Sequence, residues 1–168
     1  IEGIFTGTAN FILNQMMHEG MGFDAALRQA QEAGIAEADS RFDTEGWDTA
    51  AKITIIANTL FGTALNVNNL PRQGITDLQA ADLATWQAQG LMPRLIGYVR
   101  CEQGEVRAGV EVQAVDAQDV FYHVQGKNKA MRVVTAEMGE LCVQGGASSP
   151  QATAAAALKD LENLLKTW

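Results

Sequence analysis

The chain is short of basic residues, cysteine, histidine and proline, and most of these shortages exclude something. Twelve lysines and arginines face 20 aspartates and glutamates in 168 residues, a formal net charge of -8. Such a surface repels phosphate backbones and offers no basic stripe, so nucleic acid is not an expected partner. Cys101 and Cys142 stand far apart without C-x-x-C spacing or a histidine at ligand distance. No metal site is predicted from them, and both thiols are expected to be reduced and buried, as in a cytosolic protein. Hydrophobic residues make up 47% of the chain, yet no window approaches the roughly 18 apolar residues of a membrane span. A cytoplasmic protein without membrane contact is expected. The glycine fingerprints G-x-G-x-x-G and G-x-x-x-x-G-K-S/T are absent as well, so any nucleotide must be held mainly elsewhere.

The chemistry is concentrated in 36–62, AEADSRFDTEGWDTAAKITIIANTLFG. This stretch crowds Glu37, Asp39, Asp43, Glu45 and Asp48 into a glycine-containing loop, then runs into an apolar helix with one lysine, Lys52. Positions four apart share a helical face, so Asp48 and Lys52 are expected side by side. Ile53, Ile55, Ile56 and Ala57 follow, which marks a helix headed into a core and makes Lys52 the cation of a polar pocket. Glu37 and Asp48 can accept hydrogen bonds from an ammonium group, while Lys52 can stabilise an alkoxide or pass it a proton. Such a set suits a small zwitterion carrying a hydroxyl or carbonyl. Asp39 and Glu45 read instead as solvating the loop and favouring the helix N-terminus.

At this length a single domain is expected. Residues 1–5 read as a strand, and 8–19 and 23–33 as a helical hairpin whose members end at Gly20 and Gly34. A central helix over about 45–60 follows, with most of its circumference covered. Pro71 centres a turn over 66–73, and Thr76 is placed to cap a helix over 76–89. Beyond Pro93 the period changes to short β-rich runs at 95–100, 108–115, 120–124, 131–136 and 140–143, which suggests an antiparallel meander. A last helix opens at Pro150, capped by Ser148 or Ser149, with Ala154, Leu158, Leu161 and Leu165 as its buried stripe. The fold class is therefore α+β, with helices packed on one face of a largely antiparallel or mixed sheet. The GGASSP turn ahead of the last helix exposes backbone N–H groups suited to an anion. The chain opens IEGIF, with neither an initiator methionine nor a signal-peptide layout, and reads as a piece of something longer.

Three segments, GIFTGTANFIL, AQEAGIAEADSRFDTEGWDTAAKITIIA and QGGASSPQATAAAALKDL, together resemble the substrate-binding and catalytic domain of the homoserine dehydrogenase family. That family interconverts aspartate 4-semialdehyde and homoserine with NAD or NADP, on the way to threonine, methionine and isoleucine. Its A-E-x-D-P-like stretch followed by D-x-x-G-x-D-x-x-x-K falls on Ala36, Glu37, Asp39, Asp43, Gly46, Asp48 and Lys52. The resemblance implies that Glu37 holds the substrate amino group and that Asp43 belongs to the same substrate-binding set. It also implies that Asp48 and Lys52 address the reacting oxygen, with Lys52 in proton transfer. Gly7 and Thr8 would approach the nicotinamide and substrate, and Gly145, Gly146 and Ala147 would close over the cofactor. Ser40 stands where the family has proline, Ile35 where it has an aromatic residue, and GGASS where a second glycine is expected. The nucleotide-binding domain would lie N-terminal to Ile1, so the chain alone is expected to be inactive. A homodimer through the sheet is a further implication. An amino-acid-binding or regulatory module of the same fold, without hydride transfer, is the alternative.

Overall fold

The computed structural model describes residues 1–146 and 150–166. Its shortest strand organises the rest. Among the described residues, β1 (Glu2–Ile4), β2 (Met92–Glu102), β3 (Glu105–Val115), β4 (Lys129–Thr135) and β5 (Gly139–Gly145) form one antiparallel sheet in the order β3-β2-β1-β4-β5. The meander read from the sequence is therefore two hairpins with β1 between them, Gly3 facing Gly97 of β2 on one side and Met131 of β4 on the other. The β2–β3 turn is two residues, Gln103 and Gly104, with φ of 52° and 84°. That left-handed pair matches the twist of the flanking strands.

The helices are α1 (Gly7–His18), α2 (Phe23–Glu32), α3 (Arg41–Thr44), α4 (Trp47–Phe61), α5 (Ala80–Ala88) and α6 (Pro150–Lys166). α1, α4 and α5 pack against β2, and α4 also against β3, in keeping with the α+β reading, while α6 is largely exposed. Ile12 and Leu13 of α1, Ala50, Ile53 and Ala57 of α4, and Leu95, Ile96 and Val99 of β2 share one buried core. At Gly97, α4 lies so close on β2 that an added Cβ would stand 2.6 Å from Thr49 Cγ2 and 2.7 Å from Ile53 Cγ1. A side chain there would lift the helix off the sheet.

Several expectations are corrected. Residues 120–123 form a 3-10 turn rather than a strand. The helix after Pro71 starts at Ala80, behind Gln79, whose N–H meets Asp82 Oδ2 at 3.2 Å, so Thr76 caps nothing. The acidic loop contains the short helix α3, and α4 begins at Trp47. Ile55 faces solvent, leaving α4 covered on one side only. Cys101 and Cys142 are exposed, not buried. The α6 stripe is exposed too, with Leu158, Leu161 and Leu165 each more than half accessible. Ser148 and Ser149, the suggested caps, lie outside the described residues. No helix among the described residues is long and apolar enough to cross a membrane.

One ionic cluster ties β1 to its neighbours. Glu2 receives Arg100 of β2 at 2.5 Å and Arg132 of β4 at 2.6 Å, and Arg132 also reaches Asp119 at 3.2 Å. Burial disfavours the Glu2 carboxylate, but hydrogen bonds from Arg132 and Arg100 outweigh it and hold the pKa below the ordinary 4.5. The contribution is therefore present above about pH 4.5 and is lost as pH falls through the lower folded value. Replacing Glu2 by glutamine should cost about 1–2 kcal/mol at neutral pH. Urea unfolding of wild type and E2Q should show the two curves converging in acid; a constant gap would contradict this account.

Candidate active site

Where β1 ends, α1 begins, and the junction faces the acidic stretch of α3 and α4 across a cavity of about 220 Å³. Its wall includes Phe5 to Thr8, Ile35, Asp43, Asp48 and Lys52, together with Lys127 and Lys129. The Lys52 ammonium donates to Asp48 Oδ2 at 2.5 Å and to the Phe5 carbonyl at 3.1 Å. The first contact follows from the spacing of four on α4. The second does not: it requires β1 to end beside α4. Asp48 Oδ2 also accepts from Thr6 Oγ1 at 2.8 Å, and Thr6 Oγ1 lies 3.0 Å from Thr49 Oγ1. Lys52 keeps 43% of its side chain accessible and Asp48 23%. The pair is thus oriented by buried groups while its cation still meets water, which a proton carrier needs.

Asp43 lies on the same wall. Burial pushes its carboxyl above the usual range, a hydrogen bond with Thr8 opposes that, and the charge of Asp48 adds to it. Lys52 lowers and Glu37 raises it further down the scale. Thr8 itself donates from Oγ1 to the Ile35 carbonyl at 3.1 Å. Glu37 is exposed and stands outside the cavity wall, although its charge reaches Asp43. Asp39 pairs with Arg41 at 2.6 Å in solvent, which holds its pKa down at about 2. Glu45 receives the Trp47 indole at 3.2 Å. Neither residue lines the cavity.

Gly7 lines the cavity and packs tightly, since a Cβ there would stand 2.6 Å from the Lys127 carbonyl. Gly145 ends β5 opposite Lys129 with φ of 138°, and Gly146 follows at 99°, both with open space where a Cβ would stand. Ala147 lies outside the described residues. Among those residues no cluster of histidine, cysteine, aspartate or glutamate is arranged to hold a metal.

The sequence reading passed over Lys127 and Lys129, which looked like part of a turn. A polar clamp fixes them. Asn10 of α1 donates through Nδ2 to the carbonyls of Val124, Gly126 and Asn128 at 3.1, 2.9 and 3.3 Å. Arg94 of β2, wholly buried, donates to the carbonyls of Phe121 and Tyr122 at 2.8 Å each and to Asn14 Oδ1 at 3.3 Å. Burial brings its pKa down to about 10, so the guanidinium stays charged at neutral pH. The segment 121–128 is thus pinned to α1 and β2 by its own carbonyls, a use of polar side chains that neither apolar periodicity nor turn chemistry announces.

An ammonium–carboxylate pair lining a small, charged cavity in an α+β fold makes that cavity the candidate site. Comparison with known proteins makes the class specific. The chain belongs to the homoserine dehydrogenase family: the family's sequence model matches residues 1–161. It is 32% identical over 166 residues to the homoserine dehydrogenase of Neisseria gonorrhoeae, covering 99% of this chain and 38% of that protein. It is 34% identical over 161 residues to the NAD(+)-dependent homoserine dehydrogenase of Pseudomonas canavaninivorans, covering 95% of this chain and 46% of that one. The crystal structure of S. aureus homoserine dehydrogenase at pH 8.5 superposes with a TM-score of 0.90 at 32% identity, over 99% of this chain and 42% of that one. The chain therefore spans less than half the length of these relatives.

Replacing Asn10 by alanine removes the two amide N–H donors that the three carbonyls share, and also deletes Asn10 Oδ1, which is buried without a partner among the described residues. A net loss of about 1–3 kcal/mol is expected. Amide hydrogen exchange should quicken selectively over 125–129; unchanged protection there would refute the clamp.

Proposed function

We propose that this chain is the substrate-binding and catalytic part of an NAD- or NADP-dependent oxidoreductase that interconverts L-homoserine and L-aspartate 4-semialdehyde, working in the cytoplasm. Family membership supports the reaction class. The observation that carries the assignment of roles is the Lys52 ammonium, held between Asp48 Oδ2 and the Phe5 carbonyl on the cavity wall.

The residues present fit one face of a nicotinamide rather than a whole dinucleotide. Gly145 and Gly146 leave open space at the end of β5, next to Lys129, while Gly7 and Thr8 line the cavity itself. In this reading those four residues, with Ala147, meet the nicotinamide end, and the remainder of the nucleotide is held by a domain outside this chain. When bound, that cofactor supplies or accepts the hydride.

The chain's own part is electrostatic. In aldehyde reduction negative charge develops on the carbonyl oxygen, and the Lys52 ammonium stabilises it and gives it a proton from Nζ. Asp48 and the Phe5 carbonyl keep Nζ pointed inward, so little orientation is lost at the moment of reaction. The exposed flank of Lys52 lets solvent restore the proton. In alcohol oxidation the same nitrogen, once deprotonated, accepts the hydroxyl proton. Asp43, and Glu37 from the rim, attract the substrate ammonium. Without its nucleotide-binding partner the chain is expected to bind poorly and turn nothing over.

A homodimer through the sheet belongs to the same proposal. Leu141 and Val143 of β5, two residues apart and so on one face of the sheet, are 41% and 66% exposed, an apolar strip at its edge.

In the full-length protein, Lys52→Ala should lower kcat for homoserine oxidation by about 10²–10⁴-fold with an unchanged circular dichroism spectrum, and near-wild-type turnover would refute the role of Lys52. Leu141→Asp combined with Val143→Asp should shift sedimentation from dimer to monomer; a dimer that persists would move the interface elsewhere.

A further inference from the structure

Thr6 and Thr49 each depart from a local habit. A threonine at a helix N-cap ordinarily turns its hydroxyl to a backbone N–H of the first turn, yet Thr6, ahead of α1, makes no such bond. A threonine inside a helix can bond the carbonyl four residues back, as Thr44, Thr54 and Thr85 do at 3.1, 2.8 and 2.8 Å. Among the described residues the Thr49 hydroxyl meets only Thr6, at 3.0 Å, and the carbonyl four back, of Glu45, accepts from Arg72. Thr6 in turn donates to Asp48 Oδ2 at 2.8 Å. We propose that Thr49 is a positioning residue: through Thr6 it fixes the Asp48 carboxylate, and so aims Lys52, although it is wholly buried and does not line the cavity. The assignment rests on the function proposed above and deepens it by naming what holds the reacting lysine in place.

The direction of donation follows from what each group can do. An ionised carboxylate only accepts, and a hydroxyl has one proton to give. A bond to the carboxylate is charge-assisted and roughly twice as strong as one between two hydroxyls, so the Thr6 proton goes to Asp48. The proton between the two threonines is therefore that of Thr49. Donation runs one way, from Thr49 to Thr6 and from Thr6 to Asp48 Oδ2, where the Lys52 ammonium arrives at 2.5 Å. Each bond in such a chain polarises the next.

Thr49 is also the end of the chain best able to stay still. Its branched side chain is stiff at χ1, and its Cγ2 fills the space over Gly97, where an added Cβ would stand 2.6 Å away. The packing of α4 on β2 thus sets where the hydroxyl points. Lys52 is a long side chain with 43% of its surface accessible, and an ion pair at a spacing of four is loose by itself. Without the Thr49 proton, Thr6 is free to turn back to the first turn of α1, and Asp48 loses its hold on β1.

The test is steady-state oxidation of homoserine by the full-length wild type, T49V, T49S, T6V, T6S and the double variant of T6V with T49V, with the fold checked by circular dichroism. At position 49 valine keeps the methyl over Gly97 and removes the hydroxyl, whereas serine does the reverse. T49V should lower kcat by about 3–10-fold and T6V by about 10–100-fold, the difference between a neutral and a charge-assisted bond. The KM for homoserine and for nucleotide should not change. T49S and T6S should keep most of the wild-type kcat. Because Thr49 acts through Thr6, the double variant should be no slower than T6V. A wild-type kcat in T49V overturns the assignment. So does a T49S slower than T49V, which leaves Thr49 only its packing on Gly97. Losses that fall in KM, or that multiply in the double variant, overturn it as well. Should T49V fail to fold, the contrast between T6V and T6S carries the same test. A folded wild type that binds nucleotide but does not oxidise homoserine defeats the proposed function and this inference together; an active wild type matched by T49V defeats the inference alone.

Discussion

The Phe5 carbonyl and the Thr6 hydroxyl, consecutive groups at the end of β1, receive the Lys52–Asp48 pair of α4. That junction is where the sheet, the first helix and the acidic helix meet, and the chemistry depends on it. Lys52 and Asp48 would lie side by side on any exposed helix, where such a pair contributes only ~0.3–0.5 kcal/mol and holds no fixed direction. Here the two extra partners fix the pair against β1. Because β1 is flanked on both sides, by β2 and β4, it can be only three residues long and still give a rigid reference point.

Stability and function pull against each other in the cavity. Asp43 and Asp48 repel, and burial disfavours ionisation of Asp43 and of Lys129. None of this helps the chain fold. It is tolerated because the surrounding polar groups are satisfied: Arg94 by carbonyls, Thr6 by Asp48, and Asn10 through its amide donors.

Several elements turned out differently from their sequence pattern, each for an identifiable reason. The α6 stripe has the right spacing for burial, but Leu158, Leu161 and Leu165 have nothing packed over them; periodicity reports that a face is apolar, not what covers it. Residues 120–124 have the composition of a strand, yet the Asp119 side chain accepts from the Phe121 N–H at 2.8 Å and winds them into a 3-10 turn. Thr76 is a good capping residue that goes unused, because the helix starts four residues later, where Gln79 and Asp82 meet. In each case a local preference was real and a neighbouring contact outweighed it.

The sequence by itself determined the α+β class, the positions of most helices and the Asp48–Lys52 pairing, because these follow from spacing along one element or between near neighbours. Only the tertiary structure decided that β1 lies in the middle of the sheet, that Glu37 stands outside the cavity wall while Asp43 lines it, and that Lys127 and Lys129 line the same cavity as Lys52. Those placements join groups 40 to 130 residues apart, such as Glu2 with Arg132 and Asn10 with Gly126. Contacts of that range are set by strand order and by buried side chains bonding to distant carbonyls, and no local periodicity encodes either.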